Sequence, residues 1–149
     1  MKEFNYIIIG GGCAGLSLAY NFEINGKLKD KTLAIVETRK EYRRDKTWSF
    51  WKVFDHDFED CVIKSWNNFT INNSDNSHEL KNKDFPYQSV DSGKFYKKVN
   101  SKLAANSNVS FFKNLNEINS ENALIFNSIF EGELDKSELW QHFQGVEIE

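Results

Sequence analysis

The sequence is short of several things, and each shortage removes a class of protein. It has two cysteines in 149 residues, Cys13 and Cys61. That is too few for a disulfide framework, and they share no metal-ligand spacing. A reducing, cytoplasmic setting is the expectation. No stretch approaches the roughly 18 apolar residues of a membrane span. The start, Met1-Lys2-Glu3-Phe4, runs directly into an apolar segment, so no signal peptide is expected. Basic residues are not in excess: the formal net charge is −3, and Arg43-Arg44 is too short a run to attract nucleic acid. H-E-x-x-H, C-x-x-C and G-x-S-x-G are all missing, which leaves zincin, redox-disulfide and hydrolase readings without support and predicts no metal site. Proline occurs once, at Pro86. Aromatics, in contrast, reach 15%, enough either to line an apolar pocket or simply to fill a core.

What is present begins with Tyr6-Ile7-Ile8-Ile9-Gly10-Gly11-Gly12-Cys13-Ala14-Gly15. An apolar β-branched run reads as a strand buried on both faces. G-x-G-x-x-G follows. Gly10 permits the turn out of the strand, Gly12 lets a pyrophosphate approach the backbone, and Gly15 lets a helix pack close to the sheet. The helix start then offers N–H groups and partial positive charge to phosphate. A second apolar run, Leu33-Ala34-Ile35-Val36, ends at Glu37, which is placed to accept from a ribose 2′-OH. Strand, glycine loop, helix, strand and acid together are the context that makes the motif credible.

Further along, Leu16, Ala19, Tyr20 and Phe22–Ile24 have helical spacing, and Asn25-Gly26 reads as the stop. Residues 38–46 read as a polar loop, followed by the aromatic block Thr47–Trp51. Ile63–Trp66, Phe69–Ile71, His78–Leu80 and Tyr87–Val90 read as short strands of a small antiparallel meander, with Asn72–Asn76 as a turn. Ser92 is the expected N-cap of a helix over 93–106. Val109–Phe112 and Ala123–Phe126 read as two more strands, the last short and buried. The order predicts an α/β fold: a Rossmann-like parallel sheet with a small antiparallel meander insertion. It resembles the FAD-binding domain of the glutathione-reductase and hydroxylase type.

Two further segments narrow the resemblance: Asp45-Lys46-Thr47-Trp48-Ser49-Phe50-Trp51 and Leu139-Trp140-Gln141-His142-Phe143-Gln144-Gly145. With the glycine loop they resemble the bacterial FAD-dependent lycopene cyclases, which carry these blocks in this order. The likeness runs from about residue 5 to the end. Arg44 stands where members often carry Asn, and Val146 where Trp is common. The resemblance implies a non-redox enzyme of carotenoid biosynthesis: an intramolecular lyase, or isomerase, that forms β-rings on lycopene. It implies reduced FAD as cofactor, NAD(P)H as external reductant, a carotenoid partner, and peripheral contact with the inner membrane. The cofactor residues are then Gly10, Gly11, Gly12, Cys13, Ala14, Gly15, Glu37, Thr38 and Arg39, and the substrate residues Trp140, Gln141, His142 and Phe143. Trp48, Phe50 and Trp51 either line a flavin or polyene channel or belong to a core. His142 either orients substrate or cofactor or is structural. His56 and His78 are expected at the surface.

Family members continue into a substrate domain bearing the proposed catalytic acid. On that basis residues 1–131 are expected to form the FAD-binding portion and 132–149 the incomplete start of the substrate domain. No catalytic residue is assigned, Glu147 and Glu149 included, and the chain alone is expected to be inactive. Two alternatives stay open: another FAD-dependent oxidoreductase of the hydroxylase or prenyl reductase type, and a non-catalytic dinucleotide-binding fragment. The ring type and oligomeric state are not determined by the sequence.

Overall fold

A computed structural model describes residues 2–129. Its centre is a four-stranded, wholly parallel sheet. The strands are β2 (Tyr6–Ile9), β3 (Leu33–Val36), β9 (Val109–Phe112) and β11 (Leu124–Asn127), in spatial order β11-β2-β3-β9. Numbered within this sheet alone, that is 4-1-2-3, which read from the other edge is the 3-2-1-4 of a doubly wound sheet. Ile7 pairs with Ala34 on one side and Ile125 on the other. A two-stranded parallel pair, β1 (Lys2–Glu3) with β10 (Ile118–Asn119), lies beside the chain's entry to the sheet.

Helix α1 (Cys13–Ile24) returns the chain from β2 to β3. It ends as expected, with Asn25 as C-cap and Gly26 at φ +66, where a glycine escapes the Cβ penalty of the left-handed region. Helix α2 (Ser92–Ala104) packs beside it. Phe95, Tyr96, Val99 and Leu103 form its buried stripe, at the spacing of one helix face. Together with Ile8, Leu16, Leu33 and Ile35 they make the main core, while Phe4, Ile7, Ala34 and Ile118 form a smaller core. Both central strands therefore have apolar cover on both faces, as a parallel sheet requires.

Three expectations need correction. The insertion is not one meander. Strand β8 (Tyr87–Asp91) is central in a three-stranded antiparallel sheet between β4 (Thr47–Trp51) and β5 (Val62–Trp66). The segments β6 (Asn68–Asn72) and β7 (Ser77–Lys81) form a separate hairpin. Burial explains the arrangement. β8 is buried at four of five residues and so takes a partner on each edge, whereas every residue of β7 is exposed. The Asn-rich turn does close that hairpin, with Asn73 Oδ1 accepting from the N–H groups of Asp75 and Asn76. Second, β11 is not buried: Leu124 and Ile125 are 57% and 43% exposed. It pairs only with β2 among the described residues, and an edge strand keeps one flank open.

Third, the N-cap of α2 is Asp91 rather than Ser92. Asp91 Oδ1 accepts from the Lys94 N–H at 2.9 Å, and its Oδ2 lies 2.7 Å from Arg44 Nε. Ser92 is already helical, and its hydroxyl accepts from the Lys46 N–H at 3.1 Å. Loss of the cap predicts that Asp91→Ala lowers stability by about 0.5–2 kcal/mol, read from urea unfolding. Ser92→Ala losing more than Asp91→Ala would contradict this assignment.

Candidate functional site

The glycine loop joins the C-terminal end of β2 to α1. Gly10 sits at φ +99, which disfavours any side chain. Its N–H donates to Val36 O at 2.9 Å, and Ser128 Oγ donates to Ile9 O and Gly10 O at 2.8 and 3.1 Å. The turn is therefore held by both neighbouring strands. A Cβ at Gly15 would overlap the Gly10 carbonyl oxygen and approach Ile8. Gly15 thus lets the helix approach the sheet closely. A Cβ at Gly12 would meet nothing within 4 Å. Gly12 is the N-cap of α1, with no side-chain cap. The first N–H groups of that helix consequently remain available to an anion. Cys13 and Ala14 are the first two helical residues. Burial pushes the Cys13 thiol above its ordinary pKa, so it is not a thiolate there.

Glu37, just after β3, meets this loop. Its Oε2 accepts from the Gly11 N–H at 2.9 Å, and its Oε1 from the Arg39 N–H at 2.9 Å. Arg39 Nη2 donates to Glu37 Oε2 at 3.1 Å and to Gly11 O at 2.8 Å, and its Nη1 to the Tyr96 hydroxyl at 3.2 Å. A carboxylate has about four lone-pair sites. Three are engaged here, so Glu37 can accept one further bond without rearrangement. Thr38 is exposed.

Burial opposes ionisation of Glu37, but the hydrogen bonds and charge of Arg39 and the Gly11 N–H outweigh it and hold the carboxyl below its ordinary pKa. A depressed acid contributes stability above its unfolded pKa, about 4.3, and loses it as pH falls through the lower folded value. The expected result is that wild type exceeds Glu37→Gln in stability near neutrality, and that the gap narrows as urea titrations move below about pH 4. A gap independent of pH would contradict the charge-based account.

Beside Glu37 lies a cavity of about 350 Å³ at the C-terminal ends of β3 and β9. Glu37, Arg39, Tyr42, Asn100, Phe111 and Phe112 are among its walls. Two buried polar atoms here have no hydrogen-bond partner: the Tyr42 hydroxyl and Asn100 Oδ1. Burial first, and then the Glu37 charge, push the Tyr42 phenol up to about 12, so it keeps its proton. The sequence reading missed both residues. Each carried a signal: Tyr42 is an aromatic inside a polar loop, and Asn100 interrupts the apolar face of α2 one residue after Val99.

A second cavity, of about 240 Å³, lies against the first turns of α1. Trp48, Phe50 and Trp51 line it, together with Cys13, Ser17 and His56. Trp48 also packs edge-on against buried Phe95 at 5.1 Å. The core alternative therefore holds for Trp48, which packs against the buried core while also lining this cavity. His56 departs from expectation. Its side chain is only 14% exposed, with Nε2 3.1 Å from Gln88 Oε1 and Nδ1 accepting from the Phe58 N–H. His78 is exposed as expected. Trp140, Gln141, His142 and Phe143, the expected substrate residues, lie outside the described residues, as does the proposed domain boundary at 131/132.

The parallel order β11-β2-β3-β9, the tight glycine turn and the open helix N-terminus beside an acid define a Rossmann-like α/β domain. The family described as "Lycopene cyclase protein" matches residues 5–149. The chain belongs to the lycopene cyclase family. No curated protein matches it at a significant level.

Proposed function

We propose that this chain is the FAD-binding portion of a flavin-dependent, non-redox lycopene β-cyclase. The observation that carries the reading is the uncapped α1 N-terminus, where Gly12 leaves open space beside Glu37, in a chain of the lycopene cyclase family. Gly12 and the first N–H groups of α1 would receive the pyrophosphate. The remaining lone pair of Glu37 would accept a ribose hydroxyl.

Reduced FAD, when bound, supplies a fixed negative charge that stabilises positive charge developing on a cyclising polyene in a dry site. NAD(P)H serves as the external reductant. The described residues bind and orient. The acid that protonates the polyene is assigned to none of them. No described helix is long and apolar enough to cross a membrane. Contact with the bilayer that holds the carotenoid is peripheral in this reading, through exposed side chains such as Val53, Phe54 and Phe85.

Glu37 favours a free ribose hydroxyl and repels a 2′-phosphate. The chain is therefore expected to bind FAD at least tenfold more tightly than NADP in calorimetric titrations. Equal affinity for the two would remove Glu37 from the ribose site.

A further inference from the structure

We propose that Arg39, held against the rings of Tyr42 and Tyr96, is the positioning residue of the ribose site and acts on the ribose through Glu37. The proposal rests on the reading of Glu37 as the ribose acceptor. Arg39 Nη2 donates to Glu37 Oε2 at 3.1 Å and to Gly11 O at 2.8 Å, and Nη1 donates to the Tyr96 hydroxyl at 3.2 Å. Asp45 Oδ2 lies 3.8 Å from Nη1. The guanidinium carbon stands 4.8 Å from the centre of the Tyr42 ring and 5.5 Å from that of Tyr96, and aromatic faces favour a cation so placed. Fixing a long side chain in one rotamer costs entropy. Here the glycine loop, the end of β3, the loop after it and α2 share that task.

The seat under Arg39 is rigid. Tyr96 is 3% exposed, and its ring meets Tyr42 at 4.7 Å, Trp48 at 5.5 Å and Phe95 at 5.7 Å. Its hydroxyl therefore keeps one direction, toward Arg39. Tyr42 in turn rests on the glycine loop. A Cβ at Gly11 would overlap the Tyr42 hydroxyl and crowd Glu37. The middle residue of Gly10-Gly11-Gly12 thus has its own reason to be glycine, at a position the G-x-G-x-x-G pattern leaves open.

The guanidinium decides which oxygen of Glu37 is offered. A carboxylate oxygen has two lone-pair sites. On Oε2 the Gly11 N–H takes one and Arg39 Nη2 the other. On Oε1 the Arg39 N–H takes one. The open site is therefore on Oε1. Loss of the guanidinium bond opens a second site on Oε2, and the carboxylate then has two ways to accept a hydroxyl instead of one. An arginine near this acid can also receive a 2′-phosphate in dinucleotide sites. Here its Nη2 fork is spent on Glu37 and Gly11, so it serves the unphosphorylated ribose instead.

The test compares ADP with 2′-deoxy-ADP by calorimetry on the full 149-residue chain. Wild type is expected to prefer ADP about tenfold, the scale of one hydrogen bond to a charged acceptor. Arg39→Lys keeps the charge but cannot fork between Glu37 and Gly11. Tyr96→Phe keeps the ring and its packing and removes only the hydroxyl that Arg39 Nη1 meets. The preference is expected to fall to about twofold or less in Arg39→Lys and by about threefold in Tyr96→Phe, with 2′-deoxy-ADP affinity near that of wild type in both. Equal weakening of the two nucleotides would show a merely structural role and overturn the proposal. So would a full preference retained in both variants, because the two backbone N–H bonds would then hold the carboxylate by themselves. A second readout needs no nucleotide: carbon-13 NMR of the Glu37 carboxyl, whose pKa is expected to rise toward its ordinary value in both variants. An unchanged pKa would overturn the proposal. A raised pKa in the variants, with no ADP binding by any form, would support Arg39 as the residue that positions Glu37 and refute the ribose reading instead.

Discussion

Gly15→Ala is expected to destabilise the chain by roughly 2–3 kcal/mol, a large share of the 5–15 kcal/mol that holds a domain folded. Two effects compete. Gly15 lies in the first turn of α1, where alanine is about 1 kcal/mol better than glycine by intrinsic propensity. Against that, the added Cβ would overlap the Gly10 carbonyl oxygen. Neither side can yield cheaply. Gly10 is fixed by its N–H bond to Val36 O and by the Ser128 hydroxyl on its own carbonyl. The helix cannot move outward without pulling Leu16 and Ala19 from the core they share with Ile8 and Ile35. The overlap therefore outweighs the propensity gain. Urea unfolding of the two proteins checks this, and a Gly15→Ala chain as stable as wild type would show that the helix–sheet spacing has slack.

Gly12→Ala separates binding from folding. Its Cβ points into open space and its φ of −81 is ordinary for any residue, so the strain seen at Gly15 does not arise. Alanine is a poorer N-cap than glycine, which sets the folding cost at about 1 kcal/mol or less. The open space is the place where a pyrophosphate would lie against the first N–H groups of α1. A methyl group there is expected to weaken FAD and ADP about 10- to 100-fold, or roughly 1.4–2.8 kcal/mol. Calorimetry with both ligands, beside an unfolding curve, reads the two effects separately. Unchanged ADP affinity in a folded Gly12→Ala chain would move the phosphate site away from this loop.

The difference between these two glycines shows what the sequence carried. G-x-G-x-x-G, read with a strand before it and an acid after it, was enough to assign Gly15 to packing and Gly12 to an open approach. The structure gives both that geometry. The parallel order of the sheet was legible for a related reason. Leu33–Val36 is a continuous apolar run that only a strand covered on both faces can use, and it is buried at all four residues. The family was also legible, because the glycine loop, the Thr47–Trp51 block and the Trp140–Phe143 block occur in one order, and the family match spans residues 5–149.

Other features had no local signature. The strands of the insertion were visible as alternating runs, but their pairing was not. β4 and β5 are consecutive strands only ten residues apart, yet β8 from further along the chain sits between them, and competition for burial selects that order. Asp91 rather than Ser92 is the cap, and the Ser92 hydroxyl is taken instead by the Lys46 N–H from a distant loop. His56 looked like a surface residue among acids, yet Gln88 and the Phe50 ring enclose it.

Glu37 joins the two levels. The sequence alone determined that an acid ends the second strand, since residue type and spacing are local properties of the chain. Only the tertiary structure decided how much of that acid is free. The Gly11 N–H, the Arg39 backbone and the Arg39 guanidinium engage three of its acceptor sites, while Tyr42 and Asn100 are left buried without partners beside it. Satisfaction of polar groups depends on neighbours brought from across the chain, and no periodicity or motif records that.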